Sequence, residues 1–409
     1  SYFGDNQSIG LLSHIKKRLP YGMDDQWMVF SHYTERGWTV DNLWHIFTDF
    51  YGGQYAPLAF LSYLVLYAGF GYDPFYFHMF SLLLHIGCVC LVWKLISSLL
   101  RVHGGVSEKQ ILYVNFITTL LFAVHPINVE AVAWISALKV LLYAFFYLLG
   151  LLCYLRYIRT SKIFYYVLTI GCFLCSFWGK EQAVTFPLAL LIVDWFTNRN
   201  MKNLEVWSEK MSFLIMAFFF GIITVLSQGK GPYEMIFPLY QRLLFGCFAL
   251  VEYITKSLLP VNLNFFYPFP IVLGEEPPLH YYLYPVVLLF LMGWIIAYRN
   301  NRYLVFGVLL FLVNLLFSIH LFNMSRHAIV ADRYMYLSYV GIAFLIANGI
   351  WWLRKRLSYF KAALVFLFFY CFFLSVYTFH YTKKWENTTM VKKYTKEVLE
   401  KRLNGSNHL

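Results

Sequence analysis

Apolar stretches of about 17–25 residues recur along the whole chain, and charged residues are largely confined to the short segments between them. Each stretch, as a helix rising 1.5 Å per residue, is long enough to cross a hydrocarbon core about 30 Å thick. Lipid offers no hydrogen-bond partners, so a spanning segment must satisfy its backbone internally, as a helix does. The chain therefore reads as an all-α integral membrane protein. Composition agrees, with 60% of the 409 residues hydrophobic, 21% aromatic and 13% charged. A soluble domain carries roughly 25% charged residues, and a water-facing surface cannot be built from half that. The excess of Tyr and Trp suits the two interfaces, where an amphipathic ring keeps one end wet.

Spans are expected at about 75–100, 110–125, 138–157, 163–179, 183–197, 211–228, 281–298, 303–323, 335–353 and 360–380. The net charge of +12 is scattered between them and forms no single stripe, which argues against a nucleic-acid partner. Cations cluster in alternate loops: Arg101 and Lys109; Arg156, Arg159 and Lys162; Arg199, Lys202 and Lys210; Arg299 and Arg302; and Arg354, Lys355 and Arg356. The positive-inside rule makes that side cytoplasmic. The alternation holds only if the apolar segment 239–259 does not cross. Arg242, Glu252 and Lys256 interrupt it, and a charge at mid-bilayer is costly, so it is expected to lie in the interface or to re-enter from the outer side. Residues 57–70 are expected to form a second in-plane helix. The chain then divides into an outer first loop (1–74), a transmembrane module (75–382) and a short outer tail (383–409). The seven cysteines all fall within apolar runs and read as packing residues.

Polar groups gather on the outer side. Asp24 and Asp25 are adjacent carboxylates, and their repulsion can push one toward a base-like pKa; a solvated acidic turn is the simpler reading of the pair alone. His125-Pro126 reads as a helix start, with His125 at the cap and Glu130 one turn in. A helix N-terminus at a cleft favours an anion, although a capped interfacial turn would use the same residues. Lys180 and Glu181 divide a long apolar stretch and must sit in a tight outer turn at membrane depth, as a functional pair or as a snorkelling ion pair. Arg326 and Arg333 run against the positive-inside trend, and their planar forks suit phosphate. The aromatic, proline-rich stretch around Tyr267 reads as a stiff outer loop over a lipid or a sugar, or as an interfacial anchor.

No glycine-rich nucleotide loop, HExxH or G-x-S-x-G occurs, so an enzyme of this kind needs an activated substrate. A polyprenyl-phosphate sugar fits: cations stabilise the departing phosphate while a carboxylate takes the acceptor's hydroxyl proton. No metal ligand set is legible, and the need for a divalent metal stays open.

Several of these stretches resemble one family in order along the chain. They are Asp24-Asp25, Gly71–His78 with Leu83–His85, Leu121–Trp134, Gly179–Pro187, Leu259–Pro270 and Ala331–Tyr336. Together they resemble the transmembrane and tetratricopeptide-repeat O-mannosyltransferase-like family, of the GT-C glycosyltransferase fold, over about residues 21–385. The resemblance implies a GT-C-type bundle of about 10–11 transmembrane helices with in-plane helices on the outer face. It also implies a dolichyl- or undecaprenyl-phosphate sugar donor and a protein hydroxyl acceptor, with Asp24 as the catalytic carboxylate and Asp25 beside it. Lys180, Arg333 and Arg326 are assigned to the donor phosphate; His125, Glu130, Glu181, His78 and Tyr267 are assigned to orienting the site. The tail from Lys383 is 27 residues, shorter than one repeat of about 34, so the acceptor is expected to come from a separate partner. Two alternatives stand beside the enzyme: a transporter or flippase of lipid-linked sugar, and an inactive relative serving as a subunit of a membrane complex. The location expected is the bacterial inner membrane with the site facing the periplasm, or alternatively the endoplasmic reticulum membrane facing the lumen.

Overall fold

In the computed structural model, residues 25–228, 237–271, 274–320, 328–387 and 389–397 are described. Three short helices come first: Asp25–Met28 (α1), His32–Glu35 (α2) and Val40–Thr48 (α3). Helix α4, Pro57–Phe70, follows. Its Tyr63 hydroxyl donates to Ile135 O at 2.9 Å, fixing the first loop to the mouth of the bundle. The 14 residues of α4 match the expected in-plane helix in extent.

The bundle begins with Pro74–His103 (α5), where Pro74 takes the first helical position and Asp73 caps the Phe75 amide at 3.0 Å. Then come Glu108–Val124 (α6), Val129–Ala133 (α7), Leu138–Thr160 (α8), Ile163–Gly179 (α9) and Phe186–Phe196 (α10). They are followed by Leu204–Gln228 (α11), Leu239–Leu258 (α12), Leu283–Ala297 (α13), Arg302–Leu315 (α14), Met335–Trp352 (α15) and Leu357–Thr382 (α16). Helices α5, α6, α8 and α9 pack side by side, and α15 lies against α6 and α14. The outward faces are apolar, with Phe290 on α13 and Phe366, Phe368 and Phe369 on α16 exposed, as lipid-facing helices require.

The number of full-length spans differs from the ten or eleven expected. Among the described residues, six helices are long and apolar enough to cross a membrane, or seven if the bent pair Glu108–Val124 and Pro126–Ala133 is one span. The shortfall has local causes. Lys180 and Glu181 end α9 after 17 residues and turn the chain through a 3₁₀ segment, Glu181–Thr185, leaving α10 only 11 residues. Helix α14 has 14 residues. Helix α12 is not among the six, in keeping with its interrupting charges.

The cationic loops collect at one end. His103 meets the Phe196 carbonyl at 2.7 Å, Asn198 donates to the His103 carbonyl at 3.2 Å, and the His103 and Tyr303 rings lie 5.2 Å apart. Tyr113 packs on Trp351 from the last of these loops. Here too lies a buried charge network: Arg199 bridges Asp194 at 3.1 Å and Glu209 at 2.6 Å, and Lys210 pairs with both carboxylates.

Candidate functional site

At the opposite end the chain is irregular, and the irregularity positions the polar groups. His125 breaks the α6 helix. It caps the short turn Pro126–Asn128, its Nδ1 accepting the Ile127 amide at 3.2 Å, with Pro126 first in the turn as expected. The turn carries Glu130 into the protein interior, where it is fully buried. Across the bundle, Asp332–Tyr334 forms a single 3₁₀ turn ahead of α15. The Arg333 guanidinium reaches Glu130 Oε1 at 2.5 Å, while the Arg333 backbone amide donates to Oε2 at 2.7 Å. One carboxylate thus pins both the backbone and the side chain of Arg333.

Trp134 links this pair to the acidic motif. Its indole N–H donates to Asp25 Oδ2 at 3.2 Å, and its ring lies 5.2 Å from the Arg333 guanidinium carbon. Asp25 also accepts the Ser136 amide at 3.0 Å and the Ser136 hydroxyl. It is buried and accepts these three hydrogen bonds, so Asp25 anchors the first loop.

Lys180 approaches from the α9 end. Gly179 permits this, because a Cβ there would meet the Tyr143 backbone nitrogen of α8 at 2.7 Å. The ammonium sits 4.7 Å from the Tyr334 ring centroid, and the Arg333 guanidinium carbon lies 5.1 Å from the same centroid. Two cations thus lie against one aromatic ring, at most about 10 Å apart. Among the described residues, no carboxylate oxygen lies within 4.0 Å of the Lys180 nitrogen, so the expected alternative of a Lys180–Glu181 ion pair is not formed. Burial pushes its pKa down to about 8; Glu181 and Tyr334 oppose the shift, and the positive charges of Lys139 and Arg333 add to it. A buried cation with no carboxylate in direct contact is costly and favours an anionic ligand.

A second polar cluster adjoins the first through the Asp332–Arg333 peptide. Lys256 of α12 bonds Asp332 at 3.1 Å and lies 3.4 Å from the Tyr267 ring centroid, and Tyr267 donates to both Asp332 oxygens. A small core of Trp134, Leu263, Tyr381, Trp385 and Val391 covers this side and brings the tail segment over 389–397 onto the site. Among the described residues, no three His, Cys, Asp or Glu side chains group as metal ligands.

No family model matches the chain, and no solved structure matches it. It is similar to protein O-mannosyl-transferase TMTC2 of Homo sapiens, 33% identical over 189 residues, which cover 42% of this chain and 21% of the relative. Its likeness to TMTC2 of Mus musculus is 32% over the same shares. To protein O-mannosyl-transferase Tmtc3 of Drosophila melanogaster it is 28% identical over 172 residues, 37% of this chain and 18% of that one. Over about two fifths of its length the chain is similar to these TMTC proteins. It spans about a fifth of the length of these curated relatives.

The residues assigned from sequence separate into groups. Asp25, Glu130, Lys180 and Arg333 converge. Tyr267 belongs to the adjoining Asp332 cluster. His125 acts as a cap, buried against the Tyr339 ring at 4.1 Å. Glu181 lies beside Lys180 in the turn. His78 sits half-buried on α5 and makes no hydrogen bond or ion pair with these residues. Asp24 and Arg326 lie outside the described residues. Four participants were not assigned from sequence: Trp134, Lys139, Lys256 and Asp332. Lys139 stands at the start of α8, where its ammonium bonds Gln54 Oε1 at 2.5 Å and approaches Met28 Sδ at 3.7 Å. Its charge at the head of an apolar run was the available signal.

Proposed function

We propose that this TMTC-like, multi-pass membrane protein is a GT-C-type glycosyltransferase, moving a sugar from a polyprenyl phosphate to a hydroxyl of a protein acceptor. The observation that carries the reading is Lys180: a buried cation with no carboxylate in contact among the described residues, sharing the Tyr334 ring with Arg333, in the corner where Asp25 is anchored. The printed names of the relatives, protein O-mannosyl-transferases, support sugar transfer to protein and suggest mannose as the sugar. Lys180 and Arg333 would take the donor phosphate, with Glu130 holding the Arg333 fork in place. The acceptor oxygen attacks the anomeric carbon, and the bond from that carbon to the phosphate oxygen breaks. The phosphate leaves with the electron pair, stabilised by the cations. Because Asp25 is held by Trp134 and Ser136, its neighbour Asp24 is the carboxylate that takes the hydroxyl proton. The reaction would run on the side opposite the cationic loops.

The test is transfer of labelled mannose from polyprenyl-phosphate mannose to acceptor protein, by the purified chain in lipid nanodiscs. Asp24→Asn is expected to lose at least about 10²-fold in rate, the scale of general-base catalysis, while remaining folded. Undiminished transfer by Asp24→Asn would overturn the assignment of the base, and bound donor without any transfer by the wild type would overturn the enzyme.

A further inference from the structure

A cavity of about 560 Å³ lies between α5 and α8, near the start of α9, and nothing in the proposed reaction uses it. Its lining is ordered along the helix axes. From α8 come Leu149, Leu152, Arg156 and Arg159, spaced so that all four share one helical face. From α5 come Lys94 and Arg101, two turns apart on the facing side, with Trp93 at the wall. The leucines lie toward the middle of the bundle, with Lys94 about level with them, and Arg101, Arg156 and Arg159 lie toward its end, so the cavity is mainly apolar at depth and cationic at the mouth. From Leu149 to Arg159 is about 15 Å along the axis. Tyr165 of the lining opens α9, whereas Lys180 follows its other end, about 22 Å away. The two sites are therefore at opposite ends of the bundle.

We propose that this groove binds an anionic membrane lipid, with the phosphate of the headgroup at Arg156 and Arg159 and an acyl chain along Leu149 and Leu152. The charge balance identifies the occupant. Four cations and no carboxylate line the cavity, and among the described residues only Arg101 of the four has an acid partner, Glu108 at 3.2 Å. Helix-end cations that serve topology alone can point into water; these converge on a hollow whose inner half is hydrocarbon-like. A free inorganic anion would leave that apolar half unfilled, and a zwitterionic lipid would bring a cation into a cationic mouth. A basic pocket between helices on the positive side of a membrane suits an anionic headgroup.

The experiment titrates the purified full chain in detergent with dioctanoyl phosphatidylglycerol, dioctanoyl phosphatidylcholine and inorganic phosphate, counting bound molecules by native mass spectrometry. Phosphatidylglycerol is expected to bind at least tenfold more tightly than phosphatidylcholine. The double variant Arg156→Gln/Arg159→Gln is expected to weaken it about tenfold. Arg354→Gln/Arg356→Gln, with the same charge loss at the same end, should change it less than twofold. Leu152→Trp, which fills the apolar half and leaves the charge unaltered, should also weaken it. Equal binding of the two lipids, equal losses in the two double variants, or displacement of the lipid by phosphate at matching concentration would each overturn the proposal.

Discussion

Lys180 shows how one residue can carry both charge and pH dependence. Its ammonium is buried beside Tyr334, and its pKa lies near 8. Below that pH it is protonated and can hold a phosphate; above it the proton, and with it the attraction, is lost. Affinity for polyprenyl phosphate, measured between pH 6.5 and 9.5, is therefore expected to fall as pH rises through about 8. Lys180→Arg should remove that fall, because guanidinium stays charged throughout. Lys180→Met should weaken binding about 10- to 100-fold at pH 7, the scale of a charge-assisted hydrogen bond; unchanged affinity would exclude Lys180 from the phosphate site. At this scale the sequence was partly legible. His125 and Pro126 stated their cap because a proline fixes its own position, and Arg333 stood out as a cation on the wrong side of the charge rule. Trp134 and Lys139 did not, because within an apolar run an aromatic ring reads as packing and one lysine is outvoted by its neighbours.

Among the elements, the α14–α15 crossing is set by two glycines. A Cβ on Gly341 would meet the Gly307 carbonyl at 2.5 Å and the Phe311 nitrogen at 2.7 Å, so the helix backbones touch there. Small residues at a crossing permit this approach, and in lipid such packing stands in for the hydrophobic effect. Because α15 follows directly from Asp332–Tyr334, the crossing also sets where Arg333 and Tyr334 stand. Gly341→Val is expected to cost about 1–3 kcal/mol by overpacking, seen as a lowered Tm, and to weaken donor binding without touching a ligand-facing group. Gly349→Val, on the same helix with open space around it, should do neither. The sequence placed every long helix, and it also placed the break at His125 and the split at Lys180, because a proline and a pair of charges interrupt the apolar runs there. Those breaks are the places where the polar groups enter.

For the molecule as a whole, the arrangement rests on sidedness. Buried ion networks occupy both ends: Asp194, Arg199, Glu209 and Lys210 at the cationic end, Glu130, Arg333, Asp332 and Lys256 at the other. The two ends can face opposite compartments only if α12 does not cross, because one extra crossing would put the Arg299–Arg302 turn across the membrane from the Arg156–Lys162 loop. Yet the structure ties these loops together: the Arg302 guanidinium reaches the Trp195 carbonyl, and Arg199, from the same loop as Trp195, contacts the Tyr154 hydroxyl of α8 at 2.9 Å. A membrane-impermeant maleimide, applied to sealed vesicles of a chain with its own cysteines replaced, reads this directly. Ser161→Cys and Asn300→Cys, both exposed, are expected to label from one and the same side, and exposed Asp41→Cys from the other. Labelling of Asn300→Cys together with Asp41→Cys would mean that α12 spans. Arg333 would then be carried across the bilayer from Glu130, against the 2.5 Å bond that joins them.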